Sequence, residues 1–208
     1  MKTIPHFQTV LQTAFQAGLV ASLLVIGGCK DAAEKPVTAG ATARATPEAV
    51  SLPAIATEAK GFTVGSAMSA RTVYVFFDPQ CPHCTALWEA ARPLKSQAKF
   101  VWIPVGLLNG SSAPQGAALL AASDPAAAMD AHEVSMRERK GGIGASASAE
   151  AQKAAVETNT KLFNRFQFGS VPTIVSKHAG TGDLVVREGA MPTAALATAL
   201  GLQVPTAN

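Results

Sequence analysis

Cysteine is scarce in this sequence, which has only Cys29, Cys81 and Cys84 among 208 residues. An iron–sulfur cluster needs about four cysteines, so this class of site is excluded. A structural zinc site needs a full set of thiolate or imidazole ligands, and the histidines lack the spacing that would complete one. Covalent haem attachment needs histidine directly after the second cysteine, where Thr85 stands. We therefore expect neither a metal site nor a bound cofactor.

Charged residues are also scarce, at 15% of the sequence, and they form no basic tract. Basic side chains are not interleaved with aromatic ones as they are on nucleic-acid-binding surfaces. We expect no nucleic-acid partner. The length allows one domain of ordinary size with additional segments.

The amino-terminal segment has the pattern of a secretory signal. Lys2 is followed by no charged residue until Lys30, and an apolar run over 17–26 precedes small residues at 27–28. A run of about ten residues is too short to cross a bilayer, which needs about 20. Residues 1–28 are therefore predicted to be a signal peptide, and the protein to be exported.

The end of this segment, Val25-Ile26-Gly27-Gly28-Cys29, resembles a bacterial lipoprotein signal, in which cleavage leaves an acylated amino-terminal cysteine. The alternative is ordinary cleavage nearby, which would leave Cys29 as an odd free thiol, a liability in an exported protein. We favour lipidation of Cys29. It would tether the protein to a membrane, and it predicts a periplasmic, membrane-anchored location.

The segment at 29–60 is rich in alanine, threonine and proline and shows no hydrophobic period. Such a segment buries too little surface to offset its ordering entropy, so it is predicted to be a flexible tether. Its composition also allows a short helix. The folded domain is predicted over 61–208.

The first half of this domain reads as strand, helix, strand. Thr72–Phe77 is β-branched and aromatic on both faces, which is typical of a strand buried on both sides. A helix from about Pro82 should be kinked at Pro93. Lys99–Val105 reads as a second buried strand, and a βαβ unit predicts that the two strands are parallel.

The second half begins with a helical insertion at about 107–168, followed by two strands and a helix. Asp124 is the expected N-cap of the middle helix of the insertion. The predicted elements are helices at 113–122, from 125 and at 148–166, strands at 170–175 and 184–187, and a helix at 192–200. The order βαβ, insertion, ββα predicts an α/β fold with a central mixed sheet flanked by helices.

Cys81 and Cys84 stand three positions apart where the first strand gives way to the first helix. The helix start directs unpaired amides and a positive dipole end at Cys81, which favours its thiolate. Pro82 gives up no needed hydrogen bond there, and a protonated or donating His83 would stabilise the thiolate further and make the couple more oxidising. Alternatively, His83 faces water, or the pair is a structural disulfide, although so small a loop constrains the unfolded chain little.

The sequence FFDPQCPHC at 76–84, with Ser-Val-Pro-Thr at 170–173 beyond a helical insertion, resembles the thioredoxin superfamily. More closely, it is similar to the catalytic domain of periplasmic thiol:disulfide interchange proteins of the DsbC and DsbG type, over about 61–202. The resemblance implies a thioredoxin-like fold and an enzyme that exchanges disulfides with protein substrates. No cofactor is implied beyond the Cys81–Cys84 disulfide, with Cys81 as the nucleophile and Pro82 and His83 completing the active site.

The resemblance also implies a cis peptide bond between Val171 and Pro172, facing the disulfide. Val171, Pro172 and Thr173 would then bind a substrate strand by β-augmentation. The alternative is a trans proline that starts a strand. A membrane redox partner would reset the active site.

Two departures from the DsbC and DsbG pattern leave parts of this picture open. No dimerisation domain is recognisable before the catalytic domain, so we expect a monomer. Pro82-His83 resembles the dipeptide of the DsbA oxidases, so oxidation, isomerisation and reduction all remain possible directions. Two other functions also stay open: a peptide-binding or chaperone module with non-essential cysteines, and a reductase dedicated to one client.

Three further residues have simpler interpretations. Asp78 could relay a proton, but capping the turn is the simpler role. Trp88 is expected in the core. His132 is interpreted as a solvated helix residue.

Overall fold

The computed structural model describes residues 48–145 and 149–206. The predicted signal peptide, Cys29 and most of the predicted tether lie outside these ranges. Within them, no helix combines the length and the apolar character needed to span a bilayer.

Five strands form one mixed sheet, in the order β1-β3-β2-β4-β5. They are β1 (Phe62–Gly65), β2 (Thr72–Phe77), β3 (Lys99–Pro104), β4 (Thr173–Lys177) and β5 (Leu184–Glu188). β2 and β3 are parallel, in a register that pairs Thr72 with Lys99 and Phe77 with Pro104. The other three pairs are antiparallel. The predicted parallel βαβ unit is confirmed.

Strand β2 is buried on both faces, as its β-branched and aromatic residues predict. Val73, Val75 and Phe77 belong to one hydrophobic core, and Phe76 belongs to another on the opposite face. Since β2 also lies in the middle of the sheet, its carboxyl end is held by packing from both sides. The segment that follows β2 therefore starts from a fixed point.

The helices cover both faces of the sheet. They are α1 (Leu52–Glu58), α2 (Pro82–Ala91), α3 (Ser112–Ala121), α4 (Pro125–Arg137), α5 (Glu150–Arg165) and α6 (Thr193–Leu200). α2 and α6 supply buried side chains to the core that contains Phe77. α1 and α5 supply them to the core that contains Phe76. This arrangement of helices and sheet is the thioredoxin-like α/β fold that the sequence predicts.

Helix α1 shows that the predicted tether extends too far towards the domain. The Oγ atom of Ser51 accepts a hydrogen bond from the amide of Ala54, 3.3 Å away, and caps the helix. Ile55 is fully buried in the core on the Phe76 side. The ordered structure therefore begins before Gly61, and the short helix that the composition allowed is present.

The kink predicted at Pro93 takes the form of a change in helix type. Helix α2 ends at Ala91, and Arg92–Leu94 form a turn of 3-10 helix. Proline has no amide hydrogen and its ring crowds the preceding turn, so a regular α-helix does not continue through it.

The three predicted helices of the insertion are present between β3 and β4. Asp124 caps α4 as predicted, because its Oδ1 accepts a hydrogen bond from the amide of Ala127, 3.0 Å away. α5 packs Leu162 and Phe163 into the core on the Phe76 side. This last part of the insertion is therefore integral to the fold.

Candidate active site

The two cysteines lie at the junction of β2 and α2. Cys81 is the N-cap residue of α2, and Pro82 occupies its first position. The side chains differ in depth: Cys81 is 5% exposed and Cys84 only 1%. Pro82 and His83 are exposed between them. Both cysteines are free thiols in the structure, with Cys81 nearer to the surface.

Three features of the site favour the thiolate form of Cys81. The pKa of Cys81 is lowered to about 6, above all by the hydrogen bond from the Cys84 thiol. The backbone amides of Cys84 and His83 lower it further, and the charge of His83 contributes least, while burial opposes these effects. The predicted stabilisation by the helix start is present. The partner thiol, however, is the larger cause, and no sequence pattern indicated it.

Cys84 is perturbed in the opposite direction. Burial raises the pKa of Cys84 well above its usual value, and the hydrogen bond and negative charge at Cys81 add to this rise. Near neutral pH the site therefore holds one thiolate, at Cys81, and one thiol, at Cys84. Such a pair can attack with the first sulfur and donate a hydrogen bond with the second.

The segment before β4 returns the chain to Cys81. The peptide bond between Val171 and Pro172 is cis, as the resemblance implied. The carbonyl oxygen of Val171 lies 3.5 Å from Cys81 Sγ, and Val171 is partly exposed. Pro172 and Thr173 are buried, and the Thr173 hydroxyl donates a hydrogen bond to the carbonyl of Ser170. Of the three residues predicted to bind substrate, Val171 is the one with surface next to the reactive sulfur.

Asp78 holds the loop that leads to the cysteines. Its carboxylate is fully buried and accepts hydrogen bonds from the amides of Gln80 (2.8 Å), Leu107 (2.7 Å) and Leu108 (3.0 Å). Because β2 and β3 are parallel, the loops that follow them are neighbours, and Asp78 joins one to the other. Both carboxylate oxygens are engaged, which agrees with the capping interpretation rather than with a proton relay.

The prediction that His132 is solvated is wrong. The side chain is fully buried, with Nε2 lying 2.7 Å from the carbonyl oxygen of Pro79. Nδ1 accepts a hydrogen bond from the amide of Ile143 at 3.1 Å, so Nε2 carries the proton and donates it to Pro79. Burial lowers the pKa of His132. This residue ties α4 to the loop just before Cys81.

A glycine makes room for this contact. Gly142 has a positive φ of 88°, and a Cβ atom there would collide with the His132 ring. Gln115 holds the same segment by donating hydrogen bonds to the carbonyls of Gly141 (2.7 Å) and Ile143 (2.9 Å). Gln80, in the active-site loop, bonds to Gln115. The insertion is thus fastened to the loop that carries the cysteines.

Glu133 is a second buried polar residue of α4 that the sequence analysis does not identify. It is 1% exposed, and burial raises the pKa of its carboxyl to about 7. A pattern was available for both residues: Met129, His132, Glu133 and Met136 have the i, i+3, i+4, i+7 spacing of a helix face that packs against a neighbour. In Ala-Met-Asp-Ala-His-Glu, His132 is nevertheless most simply interpreted from the sequence as solvated.

Trp88 belongs to the core, as predicted. Its ring packs edge-on against Trp102 at a centroid distance of 4.8 Å, and Nε1 donates a hydrogen bond to Asp130 Oδ1 at 2.9 Å. Within 48–145 and 149–206, no cluster of three or more His, Cys, Asp or Glu side chains could hold a metal ion.

Known proteins with similar sequences carry out thiol–disulfide interchange. The chain is 45% identical over 71 residues to the thiol:disulfide interchange protein DsbG of Pseudomonas aeruginosa, covering 33% of this chain and 28% of that protein. It is 35% identical over 104 residues to DsbG of Escherichia coli, covering 49% of this chain and 42% of that protein. The matched regions thus span less than half of either relative.

A similar solved structure is the catalytic domain of Proteus mirabilis ScsC. The TM-score is 0.54 at 16% identity, covering 71% of this chain and 91% of that domain. At this identity the likeness concerns the fold. The model of the thioredoxin-like domain family matches residues 63–203, which contain both cysteines and the Val171–Pro172 bond. The chain therefore belongs to the family of thioredoxin-like domains.

Proposed function

We propose that the protein is an exported thiol–disulfide oxidoreductase that exchanges disulfides with protein substrates through Cys81-Pro82-His83-Cys84. The observation that carries this proposal is the opposite perturbation of the two cysteines. The pKa of Cys81 is lowered to about 6, and the pKa of Cys84 is raised well above its usual value. Thiolate is the reactive form in disulfide exchange, so the pair is divided into a nucleophile and a reserve thiol.

In the oxidising direction, a substrate thiolate attacks Cys81 Sγ in the Cys81–Cys84 disulfide. The bond between the two cysteines breaks, and Cys84 takes up a proton. A second substrate thiolate then attacks the substrate sulfur of the mixed disulfide, and Cys81 departs as a thiolate. The substrate is oxidised by two electrons and the enzyme is reduced. The low pKa of Cys81 makes it a good leaving group.

In the reducing direction, the Cys81 thiolate attacks a substrate disulfide and one substrate sulfur departs. Cys84 loses its proton and attacks Cys81 Sγ, which releases the second substrate thiolate. Isomerisation combines the first step with an attack by another substrate thiol. In every direction Cys81 is the sulfur that forms the mixed disulfide with the substrate, which agrees with its greater exposure.

Substrate would lie along the surface around Cys81. The Val171 carbonyl beside Cys81 Sγ offers a backbone acceptor to an extended segment, in the manner of β-augmentation. Leu107 and Leu108, which are 39% and 53% exposed, follow β3 and are linked to the active-site loop by Asp78. They would supply apolar contact. Neither the backbone acceptor at Val171 nor the apolar contact requires a particular substrate sequence, so this surface suits an unfolded polypeptide.

The finer features of the proposal rest on the sequence. The signal at 1–28 supports export to the periplasm, and Cys29 supports anchoring by lipidation. The proposal also includes a membrane redox partner, which would reset the Cys81–Cys84 pair. It further includes a monomeric state. A stable tether requires more than one acyl chain. If Cys29 is acylated, the protein should be found in the membrane fraction, and the mass of the purified protein should exceed that of the polypeptide by the mass of the acyl groups.

Insulin-disulfide reduction and trapping of intermediates test the activity. Cys81→Ser should abolish turnover, and Cys84→Ser should accumulate mixed disulfides because the resolving sulfur is missing. Cys29→Ser, which removes the third cysteine, is the matched control and should retain full turnover. If Cys81→Ser leaves turnover unchanged, the proposal fails. If wild type shows no turnover while both it and Cys81→Ser suppress aggregation equally, a binding module is favoured instead.

A further inference from the structure

Glu188 reaches from the end of β5 to the segment 169–172, which carries Val171. Its Oε1 accepts a hydrogen bond from the amide of Gly169 at 3.0 Å, and its Oε2 accepts one from the hydroxyl of Ser170 at 3.2 Å. The two oxygens of one carboxylate therefore hold two consecutive residues. Because Glu188 is exposed, this contact does not serve the packing of a core.

The fit between Glu188 and this segment is close. A Cβ atom at Gly169 would lie 3.1 Å from Glu188 Oε2, which is tighter than ordinary van der Waals contact. Glycine at this position therefore leaves the space in which the carboxylate approaches the backbone. The strand register brings the two parts together, because β4 and β5 are antiparallel and Glu188 pairs with Thr173, the first residue of β4.

Two further hydrogen bonds fix the other end of the same segment. The amide of Gly189, the residue that directly follows β5, donates to the carbonyl of Pro172 at 2.8 Å. The hydroxyl of Thr173 donates to the carbonyl of Ser170. Together with the carboxylate contacts, these bonds hold the segment before β4 along its length.

The position of Val171 depends on this segment. Its carbonyl oxygen lies 3.5 Å from Cys81 Sγ, and the residue is partly exposed. In the proposed function this carbonyl accepts a hydrogen bond from an extended substrate segment. A backbone acceptor that is already ordered binds more tightly than one that becomes ordered on binding, because the ordering cost is subtracted from the binding free energy.

We propose that Glu188 is a positioning residue that holds the segment 169–172 in place for substrate binding beside Cys81. This role deepens the proposed function and rests on it, because an ordered acceptor at Val171 matters only if a substrate segment binds there. Glu188 acts through its hydrogen bonds to the segment, while the sulfurs carry out the exchange. The role therefore predicts that loss of Glu188 weakens the binding of protein substrates and leaves the nucleophile unchanged.

Kinetics of insulin-disulfide reduction test this role with two substitutions of Glu188. Glu188→Ala removes both acceptors, and kcat/KM should fall about tenfold, mainly through a higher KM, since ordering about one residue of the segment costs roughly that factor. Glu188→Gln can keep both contacts, because its carbonyl can accept from the amide of Gly169 and its amide can donate to the hydroxyl of Ser170. Turnover by Glu188→Gln should therefore stay close to that of wild type.

Arg187→Ala is the matched control. Arg187 is the exposed neighbour of Glu188 in β5, and its guanidinium donates a hydrogen bond to the carbonyl of Val186 within the strand. This substitution should leave kcat/KM unchanged. Alkylation of Cys81 by iodoacetamide, measured in a Cys29→Ser background, should also be unchanged in Glu188→Ala, because a small reagent needs no backbone acceptor.

Three results would overturn the role of Glu188. Equal kcat/KM in wild type and Glu188→Ala would show that the contact is dispensable. Equal losses in Glu188→Ala and Glu188→Gln would show that the charge of the carboxylate matters and its position does not. A matching loss in the rate of alkylation would place the defect at the nucleophile instead.

Amide NMR separates this role from the proposed function, because it needs no turnover. In Glu188→Ala the signals of Gly169 and Val171 should both move, while in Glu188→Gln the signal of Val171 should stay close to its wild-type position. Movement of the Gly169 signal alone contradicts the positioning of Val171. If wild type does not reduce insulin, the proposed function fails, and the NMR comparison still decides whether Glu188 positions the segment.

Discussion

Removing the side-chain sulfur of Cys84 should make Cys81 much harder to ionise. The hydrogen bond from the Cys84 thiol is the largest of the effects that lower the pKa of Cys81 to about 6. A hydrogen bond to a charged group contributes about 1.5–3 kcal/mol, and one pKa unit corresponds to about 1.4 kcal/mol. Cys84→Ala should therefore raise the pKa of Cys81 by about one to two units, to about 7–8.

The matched control is Cys84→Ser, which keeps a hydrogen-bond donor at the same position. A hydroxyl can donate to the Cys81 thiolate, so the pKa of Cys81 should stay close to that of wild type. Both variants contain a single thiol in the active site, which removes ambiguity about which sulfur titrates. The comparison therefore isolates the donor from the other consequences of losing a cysteine.

The pH dependence of iodoacetamide alkylation measures this pKa, because the thiolate is the form that reacts. Cys29→Ser in the background of every variant leaves Cys81 as the one thiol that is labelled. If Cys84→Ala and Cys84→Ser titrate at the same pH, near 6, the donor is irrelevant. The amides at the start of α2 would then have to supply the whole effect.

Three further predictions concern the residues around the pair. His83→Ala should raise the pKa of Cys81 by less than Cys84→Ala does, because the charge of His83 is the smallest of the causes that lower it; a larger rise in alkylation midpoint would contradict this. His132→Leu should destabilise the fold by about 1–3 kcal/mol in urea unfolding, because the buried carbonyl of Pro79 loses its donor; unchanged stability would refute it. The pKa of Glu133 rises from 4.5 to about 7 on folding, so reduced wild type should lose roughly 3 kcal/mol of stability as pH increases across that interval, and Glu133→Gln should not; parallel pH profiles would rule this out.

The parts of the fold that the sequence predicted are those where local pattern and tertiary environment agree. β2 and β3 are apolar on both faces because they are central in the sheet. The start of α4 after its N-cap, Asp124, was predictable because the cap bonds to an amide in the first turn of the same helix. β4 begins at Thr173, three residues later than predicted, because Pro172 has no amide to give to the sheet.

The elements that were not predicted depend on contacts distant in sequence. β1 is four residues long and forms an edge of the sheet through its antiparallel pairing with β3. No local sequence pattern predicts this pairing. α1 lies in a stretch of alanine, threonine and proline, and its order comes from the burial of Ile55 beneath the sheet. Composition allows such a helix but favours a flexible tether, because it does not show which apolar residues find partners in the fold.

The same reasoning applies to the active site. The motif at 81–84 identified the reactive sulfurs, because cysteine spacing and a helix start are local features. His132 and Glu133 were missed because their burial results from α4 packing against the active-site loop and α2. In a sequence, a buried polar residue and a solvated one look alike unless the spacing of its apolar neighbours is followed.

Both the motif at 81–84 and helix α4 of the insertion contribute to the active site. The motif supplies the two sulfurs and the amides at the helix start, but α4 supplies, through His132, a hydrogen-bond donor to the Pro79 carbonyl in the loop before Cys81. The same histidine accepts a hydrogen bond from the amide of Ile143, so it joins the insertion to that loop. Proteins that share the motif at 81–84 but lack this histidine should therefore hold the loop before the first cysteine less firmly. The placement of Cys81 depends on the motif and the insertion together.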